Sequence, residues 1–118
     1  MAVHVYHYPK CSTCRNALKW LDQHGVAYEK SDLVAEPIPL AELKQLHARS
    51  GLPIARFFNT SGESYRAGGF KDRLKQMSDA EALAELAKDG KLVKRPVIDT
   101  GKRVLVGFDG RAYAEAFE

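Results

Sequence analysis

The 118-residue chain has a formal net charge of +3 at pH 7, with 45% hydrophobic and 28% charged residues. This balance is typical of one globular domain that buries its own core, and it excludes a disordered chain. The basic residues are not interleaved with aromatic ones, and no apolar run reaches the roughly 18 residues that cross a membrane. We therefore expect a single domain over residues 1–118, located in the cytoplasm, that binds neither nucleic acid nor membranes directly.

The first part of the chain predicts a strand, a helix and a second strand. Apolar and polar residues alternate over residues 2–6, before Pro9, which indicates a strand that ends in a loop. Apolar residues recur at helical spacing over residues 12–24, and a strand pattern resumes over residues 26–31. This order predicts a parallel pair of strands joined by a right-handed crossover.

The middle of the chain predicts helices. Leucines recur at three-residue spacing over residues 40–46, and this helical segment ends near Gly51. Further on, Ser78 is followed three residues later by Glu81, which is the pattern of a capping box at a helix start. We expect that helix to end before Gly90.

The last part of the chain predicts a hairpin and a closing helix. Residues 96–99 and 104–106 have strand patterns on either side of a turn, and residues 113–117 indicate a final helix. The complete order is βαβ, a helical insertion, then ββα. It predicts an α/β fold with a mixed central sheet and helices on both faces. Thioredoxin-like folds have this layout.

The two cysteines of the chain, Cys11 and Cys14, lie at the junction of the first predicted strand and helix. Residues i and i+3 in a first helical turn bring their Cα atoms to roughly 5 to 6 Å, a separation that a disulfide can bridge. Unpaired N–H groups and the positive end of the helix dipole favour a thiolate on the first cysteine. We therefore interpret Cys11 as the nucleophile and Cys14 as the resolving thiol that releases a mixed disulfide.

The residues around the cysteines predict an anion-binding site at the start of the helix. Basic side chains and backbone N–H groups at such a place bind anionic groups of a substrate. The expected contributors are Lys10, Ser12, Thr13 and Arg15. Ser12 and Thr13 are also ordinary residues for a helix start, which is the simpler reason for their presence.

A cysteine pair of this kind could also have a role without redox chemistry. The two cysteines could serve simply as small apolar residues of the core, but that role leaves their placement at the strand–helix junction unexplained. A structural disulfide is disfavoured in the cytosol, where thiols are kept reduced. A zinc site would need His4 and His7 beside both thiols, and residues three apart in a strand point to opposite faces. We therefore expect no metal.

Three segments resemble the ArsC family of arsenate reductases, and within it the Spx and YffB branch. They are YPKCSTCRNA at residues 8–17, RPVI at residues 95–98 and VLVGF at residues 104–108. The resemblance extends over nearly the whole chain. It implies a thioredoxin-like core, a nucleophilic Cys11 and a cis Pro96 that faces the thiol. Steric preference alone favours a trans bond, since about 5 to 6% of X-Pro bonds in folded proteins are cis.

The resemblance also bears on arsenate. In the glutaredoxin-linked arsenate reductases of the family, three arginines hold the oxyanion, and Arg95 matches one of them. Residues 59–61 and Val106 stand where the other two are expected, and none of these residues is an arginine. We expect weak arsenate binding, because an oxyanion needs charge-assisted donors on several oxygens. Arg95 is expected to orient a carboxylate or oxyanion of the substrate.

The resemblance leaves three functions open. The first is a thiol-disulfide reductase without a bound cofactor, which takes electrons from glutathione as a cosubstrate or from a thioredoxin- or glutaredoxin-type reductant. The second is a redox-switched transcriptional regulator that binds the RNA polymerase α subunit, as the Spx branch does. The third is an arsenate reductase. We favour the first, for a protein that acts as a monomer.

Overall fold

The structure is a computed structural model that describes residues 3–117. Ala2, which the predicted first strand includes, lies outside the described residues. The described residues up to Asp32 and from Arg95 onward form one compact unit, and Leu33–Lys94 form a second one. The expectation of a single domain stays a prediction.

The first unit is built on a four-stranded sheet in the order β2-β1-β3-β4. Strand β1 runs parallel to β2 and antiparallel to β3, and β3 runs antiparallel to β4. The strands are β1 (His4–His7), β2 (Glu29–Asp32), β3 (Val97–Asp99) and β4 (Val104–Val106). The mixed sheet, the parallel first pair and the closing hairpin confirm the fold predicted from the sequence.

The helices follow the predicted order, with the insertion between β2 and β3. They are α1 (Ser12–Gln23), α2 (Leu40–Ser50), α3 (Glu63–Ala67), α4 (Phe70–Arg73), α5 (Asp79–Lys88) and α6 (Gly110–Phe117). Short 3₁₀ segments lie at Ile54–Phe57, Leu74–Gln76 and Gly90–Leu92. No helix within residues 3–117 is long and apolar enough to cross a membrane.

The core of the first unit lies between one face of the sheet and the helices α1 and α6. Val5 of β1 is paired with Ile98 of β3, so their side chains lie on the same face. Ala17 and Leu21, one helical turn apart on α1, pack there together with Tyr113 of α6, and all five residues are buried. This packing fixes α1, and with it the cysteines at its start, against the sheet.

Strand β2 begins later than the sequence predicts, and the end of α1 explains the difference. The N–H group of Val26 donates to the carbonyl of Leu21 at 3.0 Å, so it still belongs to the last turn of the helix. Gly25 before it has φ +69°, the left-handed conformation that ends helices. The side chain of Val26 packs against the core, which explains its apolar character without a strand.

The second unit is held together by apolar faces of its helices. α2 packs against α5, and each contributes a pair of buried leucines, namely Leu43, Leu46, Leu83 and Leu86. The predicted capping box is present at the start of α5, where Ser78 accepts from the N–H of Glu81 at 3.2 Å. The Glu81 carboxylate accepts from the N–H of Ser78 at 3.1 Å, which satisfies a second helix-end donor.

Candidate active site

The loop after β1 places Cys11 directly before the first residue of α1. Cys11 is the N-cap residue, with φ −93° and ψ 120°, and its N–H donates to the carbonyl of Tyr8 at 3.0 Å. Its side chain is half-buried. Cys14 lies in the first turn and is 0% exposed. Both are free thiols, so one is accessible to a reaction partner and the other is not.

Several donors converge on the sulfur of Cys11. Burial alone would raise the pKa of the Cys11 thiol, but hydrogen bonds to its sulfur outweigh that effect and lower the pKa. They come from the backbone N–H and the thiol of Cys14 and from the guanidinium of Arg95, which adds its positive charge. The thiolate of Cys11 is therefore favoured, as the helix-start position predicts.

Cys14 has the opposite properties. Burial raises the pKa of its thiol to about 12, although the N–H group of Tyr8 donates to the Cys14 sulfur at 3.4 Å and opposes this shift. The neighbouring Cys11 raises the pKa of Cys14 further, because two thiolates in contact repel each other. The pKa values of the two thiols thus shift in opposite directions.

Arg95 is the cation of this site. Its guanidinium carbon lies 5.0 Å from the centre of the Tyr8 ring, which is the geometry of a cation–π contact. The Arg95–Pro96 peptide bond is cis, as the family resemblance implies. The carbonyl of Pro96 accepts from the N–H of Gly107 at 2.8 Å, so the segment that carries Arg95 is tied to the loop after β4.

The other predicted site residues do not all share these contacts. Lys10, Ser12, Thr13 and Arg15 are exposed around the start of α1, and Pro96 is buried beside Arg95 in sequence. Arg15 donates from its side chain to the carbonyl of Pro9 at 3.1 Å, so it also holds the loop that precedes Cys11. The structure thus brings Cys11, Cys14 and Arg95 into contact and leaves the four residues at the helix start open to solvent.

Two tyrosines at the site were not predicted from the sequence. Tyr8 contacts Cys14 through its backbone and Arg95 through its ring. Tyr113 is 1% exposed and donates its hydroxyl to the carbonyl of Gly107 at 2.7 Å. Burial, and then the proximity of Cys14, raise the pKa of Tyr113, so it stays protonated. Tyr8 begins the segment at residues 8–17 that resembles the ArsC family, but that segment gives no indication of a contact with Arg95.

The histidines of β1 take no part in these contacts. His7 is 7% exposed, and burial lowers its pKa, with a smaller contribution from Lys30, so it is neutral at pH 7. The Nε2 atom of His4 lies 2.8 Å from the hydroxyl of Ser31 on the neighbouring strand. Among residues 3–117, no group of three or more His, Cys, Asp or Glu side chains is placed to hold a metal ion.

Solved structures define the class of this fold. A putative ArsC family related protein from Bacteroides fragilis superposes with a TM-score of 0.94 at 40% identity, covering 98% of this chain and 97% of its own. A protein named YffB superposes with a TM-score of 0.86 at 31% identity, covering 99% and 100%. An arsenate reductase from Vibrio cholerae gives a TM-score of 0.86 at 28% identity, covering 98% and 97%. The chain has a thioredoxin-like fold of the kind these proteins share.

Sequence comparison identifies the family. The model of the ArsC family matches residues 6–116, and the chain therefore belongs to the ArsC family. The uncharacterized protein YusI of Bacillus subtilis is 44% identical, with 98% of each chain covered. The global transcriptional regulator Spx of Listeria innocua is 27% identical, with 91% of this chain and 80% of the regulator covered.

Proposed function

We propose that this protein is a thiol-disulfide reductase in which Cys11 is the nucleophile and Cys14 the resolving thiol. The observation that carries this proposal is the difference between the two sulfurs. Cys11 is accessible and receives hydrogen bonds that lower its pKa, while Cys14 is buried, in contact with it and protonated. A thiolate is the attacking species in disulfide exchange, and a nearby second thiol completes the reaction.

The reaction follows two exchange steps. The Cys11 thiolate attacks the glutathione sulfur of a mixed disulfide, a Cys11–glutathione bond forms, and the other thiolate leaves and takes a proton from water. Cys14 then attacks the Cys11 sulfur, the Cys11–Cys14 disulfide forms, and glutathione leaves with the proton that Cys14 has lost. Two electrons from glutathione, or from a thioredoxin- or glutaredoxin-type reductant, return both cysteines to thiols.

The same residues account for substrate binding in this proposal. The Arg95 guanidinium, which contacts the Cys11 sulfur, orients a carboxylate of the bound glutathione. Lys10 and Arg15 attract the negative charge of glutathione, and the first-turn N–H groups at Ser12 and Thr13 donate hydrogen bonds to its carboxylate oxygens. Glutathione is a cosubstrate, with no bound cofactor. Such a dithiol suits the reducing cytosol, where we propose that the protein acts as a monomer.

Arsenate reduction is a less favoured activity for this chain. Similar structures include an arsenate reductase, and the family resemblance implies that Arg95 corresponds to one of the three arginines. Residues 59–61 and Val106 do not supply the other two. A tetrahedral oxyanion in this site lacks two of the three arginine donors of the family pattern, so the binding free energy is smaller than in a site with all three.

A regulatory function is the second candidate, and the similarity to Spx favours it. That regulator matches 91% of this chain. In this alternative the oxidation state of Cys11 and Cys14 changes the affinity for the RNA polymerase α subunit. A switch of this kind requires that the two redox states bind the partner with different affinities, because only differential affinity shifts an equilibrium.

Covalent trapping tests the proposed mechanism. When Cys14→Ser is incubated with oxidised glutathione, we expect a mixed disulfide on Cys11 to accumulate, because no second thiol displaces it. The serine hydroxyl can accept from the Tyr8 N–H as the Cys14 sulfur does. Intact-protein mass spectrometry measures the adduct. Cys11→Ser is the matched control and is expected to form little, since Cys14 is 0% exposed. An adduct that forms on Cys14 as readily as on Cys11 would reverse the two roles.

A further inference from the structure

We propose that Tyr8 is a positioning residue of the dithiol site, whose ring holds the Arg95 guanidinium against the sulfur of Cys11. This role deepens the proposed function. It rests on that function only in one respect, namely that the reductase uses Arg95 to orient a carboxylate of glutathione. It assigns a task to a residue that the sequence did not single out.

The backbone of Tyr8 is fixed by both cysteines. Its carbonyl accepts from the N–H of Cys11 at 3.0 Å, and its own N–H donates to the sulfur of Cys14 at 3.4 Å. Pro9 follows and restricts Tyr8 to extended conformations. The backbone from which the Tyr8 ring extends is therefore held by the same two residues that carry the proposed chemistry.

The ring in turn contacts Arg95. The guanidinium carbon lies 5.0 Å from the ring centre, within the roughly 6 Å over which an aromatic face attracts a cation. The same guanidinium donates to the Cys11 sulfur and contributes its charge there. An arginine side chain loses considerable rotamer freedom when it is ordered, so a ring that restricts it in advance makes this hydrogen bond easier to form.

The consequence is a chain of contacts from Tyr8 through Arg95 to Cys11. Removal of the aromatic face, with a similar apolar volume retained, lets the guanidinium leave the sulfur for part of the time. The Cys11 thiolate then loses stabilisation, and its reactivity shifts to higher pH. The hydroxyl of Tyr8 has no part in this mechanism, so phenylalanine should replace tyrosine without loss.

A double-mutant cycle tests this role. The midpoint pH of Cys11 alkylation by iodoacetamide, read by tandem mass spectrometry, is compared among wild type, Tyr8→Leu, Arg95→Ala and the double variant. We expect Tyr8→Leu to raise the midpoint by about half a pH unit. In the Arg95→Ala background the same change is expected to produce no further shift, because the contact through which Tyr8 acts is already gone.

Matched variants separate this role from a general effect on folding. Tyr8→Phe is expected to keep the wild-type midpoint, and Tyr8→Met, a second non-aromatic replacement, to match Tyr8→Leu. Tyr28→Leu removes a tyrosine whose hydroxyl donates to Asp22, and it should leave the midpoint unchanged. An unchanged midpoint in Tyr8→Leu, or an equal shift with and without Arg95, overturns the role. Alkylation needs no reductase activity, so failure of the proposed function would be seen separately.

Discussion

Reduction of a glutathione mixed disulfide, with glutathione as the electron donor, is expected to fall in Cys11→Ser to the rate of the reaction without protein. The reason is that Cys11 is the one accessible thiol of the site, and a serine hydroxyl stays protonated and does not attack disulfides at neutral pH. Steady-state product formation under identical thiol concentrations measures the loss.

Two further variants make this result specific. Cys14→Ser is expected to keep part of the turnover, because an external glutathione can displace the product from Cys11. Ser12→Ala, which changes an exposed hydroxyl and leaves the backbone donors in place, is expected to change the rate less than either cysteine variant.

Absence of turnover in the wild type, together with affinity for the RNA polymerase α subunit that changes tenfold or more on oxidation (about 1.4 kcal/mol), would establish the regulator instead.

Gly90→Ala is expected to have the largest effect on stability. An added Cβ would overlap the carbonyl oxygen of Leu33 and lie 2.8 Å from the carbonyl carbon of Leu33 and 2.9 Å from the Cα of Val34. These are backbone atoms, so no side-chain rotation relieves the overlap. We expect the free energy of unfolding to fall by about 3 kcal/mol or more, measured by urea denaturation.

The control is a glycine in a permissive place. At Gly110, an added Cβ meets only the Nε1 atom of Trp20, at 4.0 Å, which is ordinary contact. Gly110 begins α6, where alanine is a better helix former. Gly110→Ala is therefore expected to change the free energy of unfolding by less than about 1 kcal/mol. Equal effects of the two substitutions on the free energy of unfolding would contradict this explanation. They would show that close packing does not exclude a side chain at position 90.

Periodicity predicted most elements of the fold because the apolar residues of each element face the core of its own unit. Ala17 and Leu21 on α1 and the strand pair around the turn after β3 have regular patterns, and each forms the predicted element. The predicted start of β2 was too early because Val26 is apolar. Its side chain packs against the core, but its N–H group belongs to the last turn of α1. Helices α3 and α4, of 5 and 4 residues, are too short to display a helical period.

The candidate site was only partly predictable, for a different reason. Cys11 and Cys14 are neighbours in sequence, so their spacing and the helix start were enough to propose a pair of unlike thiols. Arg95 was identified as a site residue only through the family resemblance. No local sequence pattern indicates that the segment before β3 lies close to the start of α1. The contact of Tyr8 with Arg95 depends on the pairing of β1 with β3 and required the three-dimensional structure.

Competitive alkylation of the two thiols tests most directly the central claim that Cys11 and not Cys14 is the reactive sulfur. The lowered pKa of Cys11 extends its thiolate to lower pH, whereas the pKa of about 12 keeps Cys14 protonated at every pH of the experiment. With limiting iodoacetamide between about pH 6 and pH 9, we expect the first label to appear on Cys11 throughout. A first label on Cys14 at neutral pH would contradict it.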